Sequence, residues 1–259
     1  MTRKWQKKEE SEEVKEGEKR KIIEPGEIPE KELSREEQKI KRKTEEEQRV
    51  WAPKTRVGRD VKEEKITKID DILDKGIKIL EHQIVDKLLP SLGIDMIMIG
   101  QSKGKFGGGK RRIWKQTQKK SAEGNIPSFA CMAVVGDRAG HIGLGYGKAR
   151  ETLPSKGKAL RDAKLKIIKV KRGCGSFDCV CDEPHSIPYA TEGKSGSAIM
   201  KLIPAPKGTG LVIEDECKKI LKLAGIKDIY SRSFGETRTK FNLAKACINA
   251  LKNISLIKK

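Results

Sequence analysis

The sequence predicts an α+β fold in two halves, a hairpin-and-helix unit followed by a unit that mixes short strands with two helices. Three observations carry this. Residues 129–136 form an apolar run of strand length, Asp137-Arg138-Ala139-Gly140 supplies a turn, and 141–146 is the return strand of a β-hairpin. Leu153, Leu160, Ala163 and Ile167 then fall near helical spacing, with Pro154 at a first-turn position. Further on, strand signals at 187–191, 197–203, 211–213 and 228–233 alternate with two helical faces.

The elements follow in order. Residues 1–50 carry 15 Lys/Arg and 15 Glu with almost no apolar periodicity, which predicts a charged, disordered tail. Order is expected from Trp51-Ala52-Pro53, and 51–80 serves as a lead-in. Ile69, Ile72 and Leu73 share a helical face that Gly76 ends, and Ile84, Val85, Leu88 and Leu89 extend the pattern to Pro90. Met96-Ile97-Met98-Ile99 is strand-like. Residues 101–120 hold eight bases, no acid and the run Gly107-Gly108-Gly109, so a flexible basic loop is expected. That loop belongs to an 81–172 domain. A Cys-rich insert at 173–185 separates it from a C-terminal α/β domain at 186–259. There Cys217, Ile220, Leu221 and Ala224 lie at i, i+3, i+4 and i+7, and Gly225 sits at the expected C-cap. Phe241, Ala244, Ile248 and Leu251 define a final helix.

Charge narrows the partner. The chain has 57 Lys/Arg against 37 Asp/Glu, and residues 51–259 carry the whole +20. An excess of that size on the folded part points to a polyanion. With 11 aromatic residues in 259, a large aromatic ligand pocket is not expected. No apolar run approaches the roughly 18 residues of a membrane span, and the N-terminus lacks the apolar core of a signal peptide. A soluble, cytoplasmic protein without a membrane partner is the expectation.

Gly143, Gly145 and Gly147 leave one strand edge without side-chain cover, so another backbone approaches closely there. With Lys148, Arg150 and the start of a basic helix beside them, a nucleic-acid phosphate backbone is one occupant. Strand twist and internal packing are the other. Neither a P-loop nor a dinucleotide fingerprint fits, because Ile142, Lys148 and Ala149 stand at required positions. His141 has no Ser/Asp or Cys constellation nearby and is expected at the surface, facing RNA. The carboxylate runs Asp70-Asp71 and Glu214-Asp215-Glu216 precede helices, where acids suit the positive dipole end.

The stretch 124–151 resembles the signature of the universal small-subunit ribosomal protein S-five family, called S-two in eukaryotes. The segments Trp51-Ala52-Pro53-Lys54-Thr55-Arg56-Val57-Gly58-Arg59, Lys171-Arg172-Gly173-Cys174-Gly175 and Glu183-Pro184-His185-Ser186-Ile187-Pro188 are similar to archaeal-type members. Leu202-Ile203-Pro204-Ala205-Pro206-Lys207-Gly208-Thr209-Gly210 and Ser233-Phe234-Gly235-Glu236-Thr237-Arg238 extend the likeness. The resemblance implies a double-stranded-RNA-binding-like N-terminal domain, helices on one face of a three-stranded sheet, then a left-handed βαβ C-terminal domain. It implies a structural, non-enzymatic role on the cytoplasmic ribosome, bound to small-subunit rRNA beside the S-four family protein. It also implies a position near the path of incoming messenger RNA and the decoding region, with an influence on translational accuracy. The family usually has a basic residue after the hairpin-tip glycine, whereas here Gly124 precedes Asn125.

The expected RNA contacts are Lys103, Lys105, Lys110, Arg111, Arg112, Lys119, Lys120, Arg138, Lys148, Arg150, Lys158, Arg161 and Arg172. Phe106 and Trp114 are placed to stack on bases, with local packing the alternative for Trp114. Cys174, Cys179, Cys181 and His185 put four soft or borderline ligands within twelve residues, enough to close a tetrahedral structural zinc site. Reduced thiols, or His185 against an RNA phosphate, are the alternatives. Two other functional classes fit less well: a free-standing double-stranded-RNA-binding protein and a zinc-dependent enzyme acting on RNA.

Overall fold

A computed structural model describes residues 51–102, 111–179, 181 and 183–256. The expected tail at 1–50 and the triple glycine with Phe106 lie outside the described residues.

Residues 51–92 form three short helices: α1 (Arg56–Lys62), α2 (Asp70–Asp74) and α3 (His82–Leu88). Thr55 caps α1, its hydroxyl accepting from Gly58 N at 3.1 Å. Glu81 organises the entry turn by accepting from Trp51 Nε1 at 2.7 Å and from the amides of Lys54 and Thr55. Trp51, Val61, Ile69, Ile72, Ile79, Ile84 and Val85 bury into a small core of their own that reaches Ile167.

The first sheet contains β1 (Gly93–Ile97), β2 (Lys115–Ser121), β3 (Gly124–Gly136), β4 (His141–Ala149) and β5 (Ile167–Lys169). All pairings are antiparallel, and β3 is its spine. One edge of β3 pairs along 129–136 with β4, while the other edge takes β1 at 132–136 and β2 at 124–130, end to end. The family expectation of three strands therefore becomes five. The flexible basic loop expected over 101–120 also needs correcting: Lys115–Ser121 is a regular strand. Its side chains are exposed on both faces, so no apolar alternation marks it, and only pairing with the overhanging half of β3 makes it a strand.

Between β4 and β5 runs α4 (Thr152–Leu165), with Pro154 in its first turn, where no intrahelical amide donor is needed. The three glycines of β4 explain how it packs. A Cβ at Gly143 would stand 2.2 Å from Ala163 O, at Gly145 2.1 Å from Ala163 N, and at Gly147 2.3 Å from Ser155 O. The close-approaching backbone is thus α4, not a nucleic acid, and Ser155, Ala159 and Ala163 are the small residues that meet it.

The second sheet has the order β6 (Thr191–Ser195), β7 (Ala198–Pro204), β9 (Ile229–Phe234), β8 (Leu211–Val212), with β8 parallel to β9 through α5 (Asp215–Ala224). Strand signal placed at 187–191 is displaced: β6 begins at Thr191, and Ile187 is instead a fully buried core residue beside a bridge from Gly173 to Ser186. Gly225 ends α5 with φ +81° as expected. The last helix, α6 (Lys240–Leu256), buries Leu243, Ala244, Cys247, Ala250, Leu251 and Ile254.

Both halves of 51–256 share one core. Ile97, Met132, Val134 and Ile142 of the first sheet pack with Ile220, Leu221, Ile229 and Leu251 of the second. Arg138 N donates to Leu223 O at 2.9 Å, and Gly225 lies so near Arg138 O that a Cβ would approach to 2.0 Å. The β3–β4 turn is thereby docked onto the end of α5.

Candidate nucleic-acid interface and cysteine–histidine cluster

Lys103, Lys105 and Lys110 lie outside the described residues. The other expected RNA contacts fall into three separate places. Lys119 and Lys120 are exposed near the tip of the β2–β3 hairpin, opposite Ile126 and Asn125. Arg138 sits past the other end of β3, and a 13-residue strand spans about 40 Å. One contiguous patch is therefore excluded for these three.

A middle cluster gathers around the start of α4. Arg111 and Arg112 line a groove of about 590 Å³ with Met98, Trp114, Phe129 and Thr152. Phe129 pairs with Ala149, which brings exposed Arg150 alongside, and Lys158 Nζ reaches the Lys148 carbonyl at 3.5 Å, while the exposed Lys148 side chain, alternating with Gly147, lies on the sheet face away from α4. Arg161 is exposed one turn along α4. The unpaired amides at the start of this 14-residue helix add to the local positive potential. Trp114, half-buried at the groove, packs locally against Cys131, Ala133 and Ala159, and its indole Nε1 is buried with no partner among the described residues.

The third place is a groove of about 840 Å³ between the two halves, where Arg138 and Arg172 face Lys222 and Lys227. Arg172 spends its guanidinium on Ala139 O at 2.7 Å and holds the turn. Lys218 and Lys219 are engaged by Asp215 and Glu216 at 2.9 and 3.0 Å. Lys222 and Lys227 were missed as candidates from the sequence. The signal for Lys222 was the polar face of α5, opposite the apolar stripe that identified the helix, whereas Lys227 lies beyond the Gly225 cap.

His141 corrects the surface expectation. Its side chain is 12% exposed, and its ring nitrogens meet Asp137 Oδ2 and, at 2.9 Å, Asp70 Oδ1. Lys169 joins Asp70 and Asp74 at 3.1 and 2.9 Å. Asp70 therefore does more than favour a helix dipole: it ties α2 to the hairpin turn. The His141 hydrogen bond holds the Asp70 carboxyl below its ordinary range. Burial pushes Asp137 upward, but hydrogen bonds from the His141 ring and from the amides of His141 and Ala139 prevail, leaving it lowered. Glu216 similarly anchors the segment that follows β1, accepting from Met98 N at 2.8 Å and Lys219 Nζ at 3.0 Å.

The cysteine cluster assembles as the spacing suggests. The Sγ atoms of Cys174, Cys179 and Cys181 and a ring nitrogen of His185 all lie within 4.8 Å of one another. Cys179 Sγ is 3.1 Å from Cys181 Sγ and 3.6 Å from His185 Nε2. The contact with Cys181 lowers the Cys179 thiol to about 7, and the reciprocal contact pushes Cys181 up to about 12. His185 is buried, and its Nδ1 lies 2.8 Å from Asp228 Oδ2. The other oxygen of Asp228 accepts from Gly208 N at 3.1 Å and Gly210 N at 2.8 Å. Cys131, Cys217 and Cys247 are buried elsewhere, in the core positions expected of them.

An α+β protein with basic grooves and no membrane-length apolar helix among its described residues has the class of a polyanion-binding protein. Family models give the class a name. Residues 113–171 match the model of ribosomal protein S5, N-terminal domain, and residues 193–259 that of its C-terminal domain. The chain is 51% identical over 208 residues to the small ribosomal subunit protein uS5 of Nanoarchaeum equitans, covering 80% of this chain and 89% of that one. It is 47% identical to the proteins of the same name from Staphylothermus marinus and Methanocaldococcus jannaschii, with 79% of this chain and 88% of each relative covered. The chain belongs to the ribosomal protein S5 family, in its archaeal-type form.

Proposed function

We propose that the protein is a structural constituent of the small ribosomal subunit, bound to rRNA in the cytoplasm and working by binding rather than catalysis. The observation that carries this is the basic cluster around the start of α4. Arg111 and Arg112 line the groove, Arg150 leads into the helix and Lys158 is carried on it, and no acid is among the described residues that line the groove. Such a surface neutralises phosphates of a folded RNA without reading its sequence. The relatives named as small-subunit proteins support the same assignment. Against a catalytic role stands His141, both of whose ring nitrogens are held by carboxylates.

The likeness to the family extends the proposal to its neighbours: the S-four family protein, and messenger RNA near its path into the subunit and the decoding region, with an effect on translational accuracy. In sucrose gradients at high salt the chain is expected to co-migrate with small subunits. Recovery at the top of the gradient would instead favour a free-standing double-stranded-RNA-binding protein. Cross-linking to rRNA from Lys158 is the local test of the interface.

A further inference from the structure

We propose that Cys174, Cys179, Cys181 and His185 bind one structural zinc ion, and that this ion clasps the 173–185 insert to the C-terminal half through Asp228. The inference stands apart from the ribosomal reading, because it concerns the isolated chain.

The donor set selects the metal. Three thiolates and one imidazole suit zinc, whereas calcium and magnesium take oxygen ligands. Metal–ligand bonds of about 2.0–2.3 Å give a tetrahedron with edges of about 3.3–3.8 Å. The 3.6 Å contact falls within that range, the 3.1 Å sulfur–sulfur contact is shorter than it, and side-chain rotations would open that pair and close the 4.8 Å limit of the cluster. On binding, each of the three thiols releases its proton to solvent.

Asp228 makes this more than a chance meeting of thiols. Its Oδ2 accepts the Nδ1 proton of His185, which leaves the Nε2 lone pair directed at the sulfurs. That is the carboxylate–histidine support commonly found behind metal-bound imidazoles. The carboxylate is committed on its other side to Gly208 N and Gly210 N. The carbonyl of His185 in turn accepts from Lys227 N at 2.8 Å and Asp228 N at 3.2 Å. The ligand set thus connects to the loop before β8 and to the start of β9.

The insert needs such a clasp. None of its described residues before His185 is a buried hydrophobic, and Phe177 is wholly exposed. A segment without a core of its own is held by metal where apolar burial is lacking. Four protein ligands leave no open position for water or substrate, and Asp228 has no free oxygen to act as a base. The ion is structural, which argues against the zinc-enzyme alternative.

The test uses the full chain purified under reducing conditions with zinc and then dialysed. Elemental analysis is expected to find one zinc per chain. Cobalt substitution should give the visible absorption of tetrahedral thiolate coordination with a near-ultraviolet sulfur-to-cobalt band. A Cys179→Ser/Cys181→Ser variant should lose the metal, while Cys131→Ala, outside the cluster, keeps it. Asp228→Asn should weaken affinity about ten- to a hundredfold by chelator competition. Should the double variant fail to fold, wild-type protein decides the matter: stripping the metal is expected to raise amide exchange in 173–188 and 205–210 while β3 and β4 stay protected. Metal content no higher than in the double variant, or exchange unchanged on stripping, would overturn the proposal. Unchanged affinity in Asp228→Asn would remove Asp228 from it.

Discussion

The two helix-on-sheet layers of this protein are assembled by different means. In the first half, α4 sits directly on the backbone of β4. Gly143, Gly145 and Gly147 face Ser155, Ala159 and Ala163, and the fully buried part of the adjoining core is small, Cys131, Ala133 and Ala159, flanked by half-buried Met96, Ile113, Trp114 and Leu160. In the second half, α6 touches its sheet backbone at one glycine, Gly193, whose Cβ would stand 2.2 Å from Ala246 O. There the layer is filled by aliphatic side chains such as Met200, Leu202, Leu243, Leu251 and Ile254. The first layer relies on dispersion between backbones in close contact, the second on apolar area removed from water. The contrast fits their surroundings: the outer face of α4 carries Lys156, Lys158 and Arg161, whereas the inner face of α6 is fully apolar.

This difference is best broken at the glycines. Gly145→Val places side-chain carbons inside the α4 backbone, which no rotamer relieves, so we expect at least about 3 kcal/mol of destabilisation. Urea unfolding measures it, and hydrogen exchange should show β4 and α4 opening while α6 stays protected. Leu251→Ala in the second layer leaves a cavity and should cost about 2–4 kcal/mol. A loss in Gly145→Val smaller than that would reverse the ranking of the two layers.

A milder break targets the clamp between α2 and the hairpin turn. His141→Ala leaves the buried Asp137 carboxylate short of a partner and should cost about 1–3 kcal/mol. The clamp also gives a pH test. Asp70 and Asp137 have folded-state values below their unfolded ones, so their contribution is complete above the ordinary carboxylate range near pH 4. It is lost as pH falls through the lower folded values, and His141→Ala should lose part of this acid sensitivity. The smallest expected effect is on binding: Lys158→Ala should leave stability unchanged and lower the salt dependence of rRNA binding by about one ion. An unchanged slope would move the RNA surface away from α4.

Much of the architecture was legible in the sequence because it rests on local rules. The turn at 137–140, the helix with Pro154 in its first turn, and the α5 stripe ending at Gly225 each depend on residues within one element. The meeting of Cys174, Cys179, Cys181 and His185 was legible for the same reason, since they fall within twelve residues. What escaped was held by distant partners. Strand β2 has no apolar face and exists because β3 overhangs β4, while Asp70 and His141 are 71 residues apart. The basic residues could be counted, but whether they share a surface could not, and Lys119 and Arg138 prove to lie toward opposite ends of β3.

The amino-acid order alone determined the α+β class, the net charge of +20 and hence a polyanionic partner, and the family, because composition and short motifs survive without knowledge of contacts. Tertiary structure decided what the motifs are for. It turned the glycine run from a nucleic-acid seat into a helix seat, His141 from a surface group into a clamp, and Asp228 from an unremarked acid into the support of His185. The physical reason is the same in each case: close packing and burial of charge are settled by which atoms meet across the fold, and sequence spacing does not record those meetings.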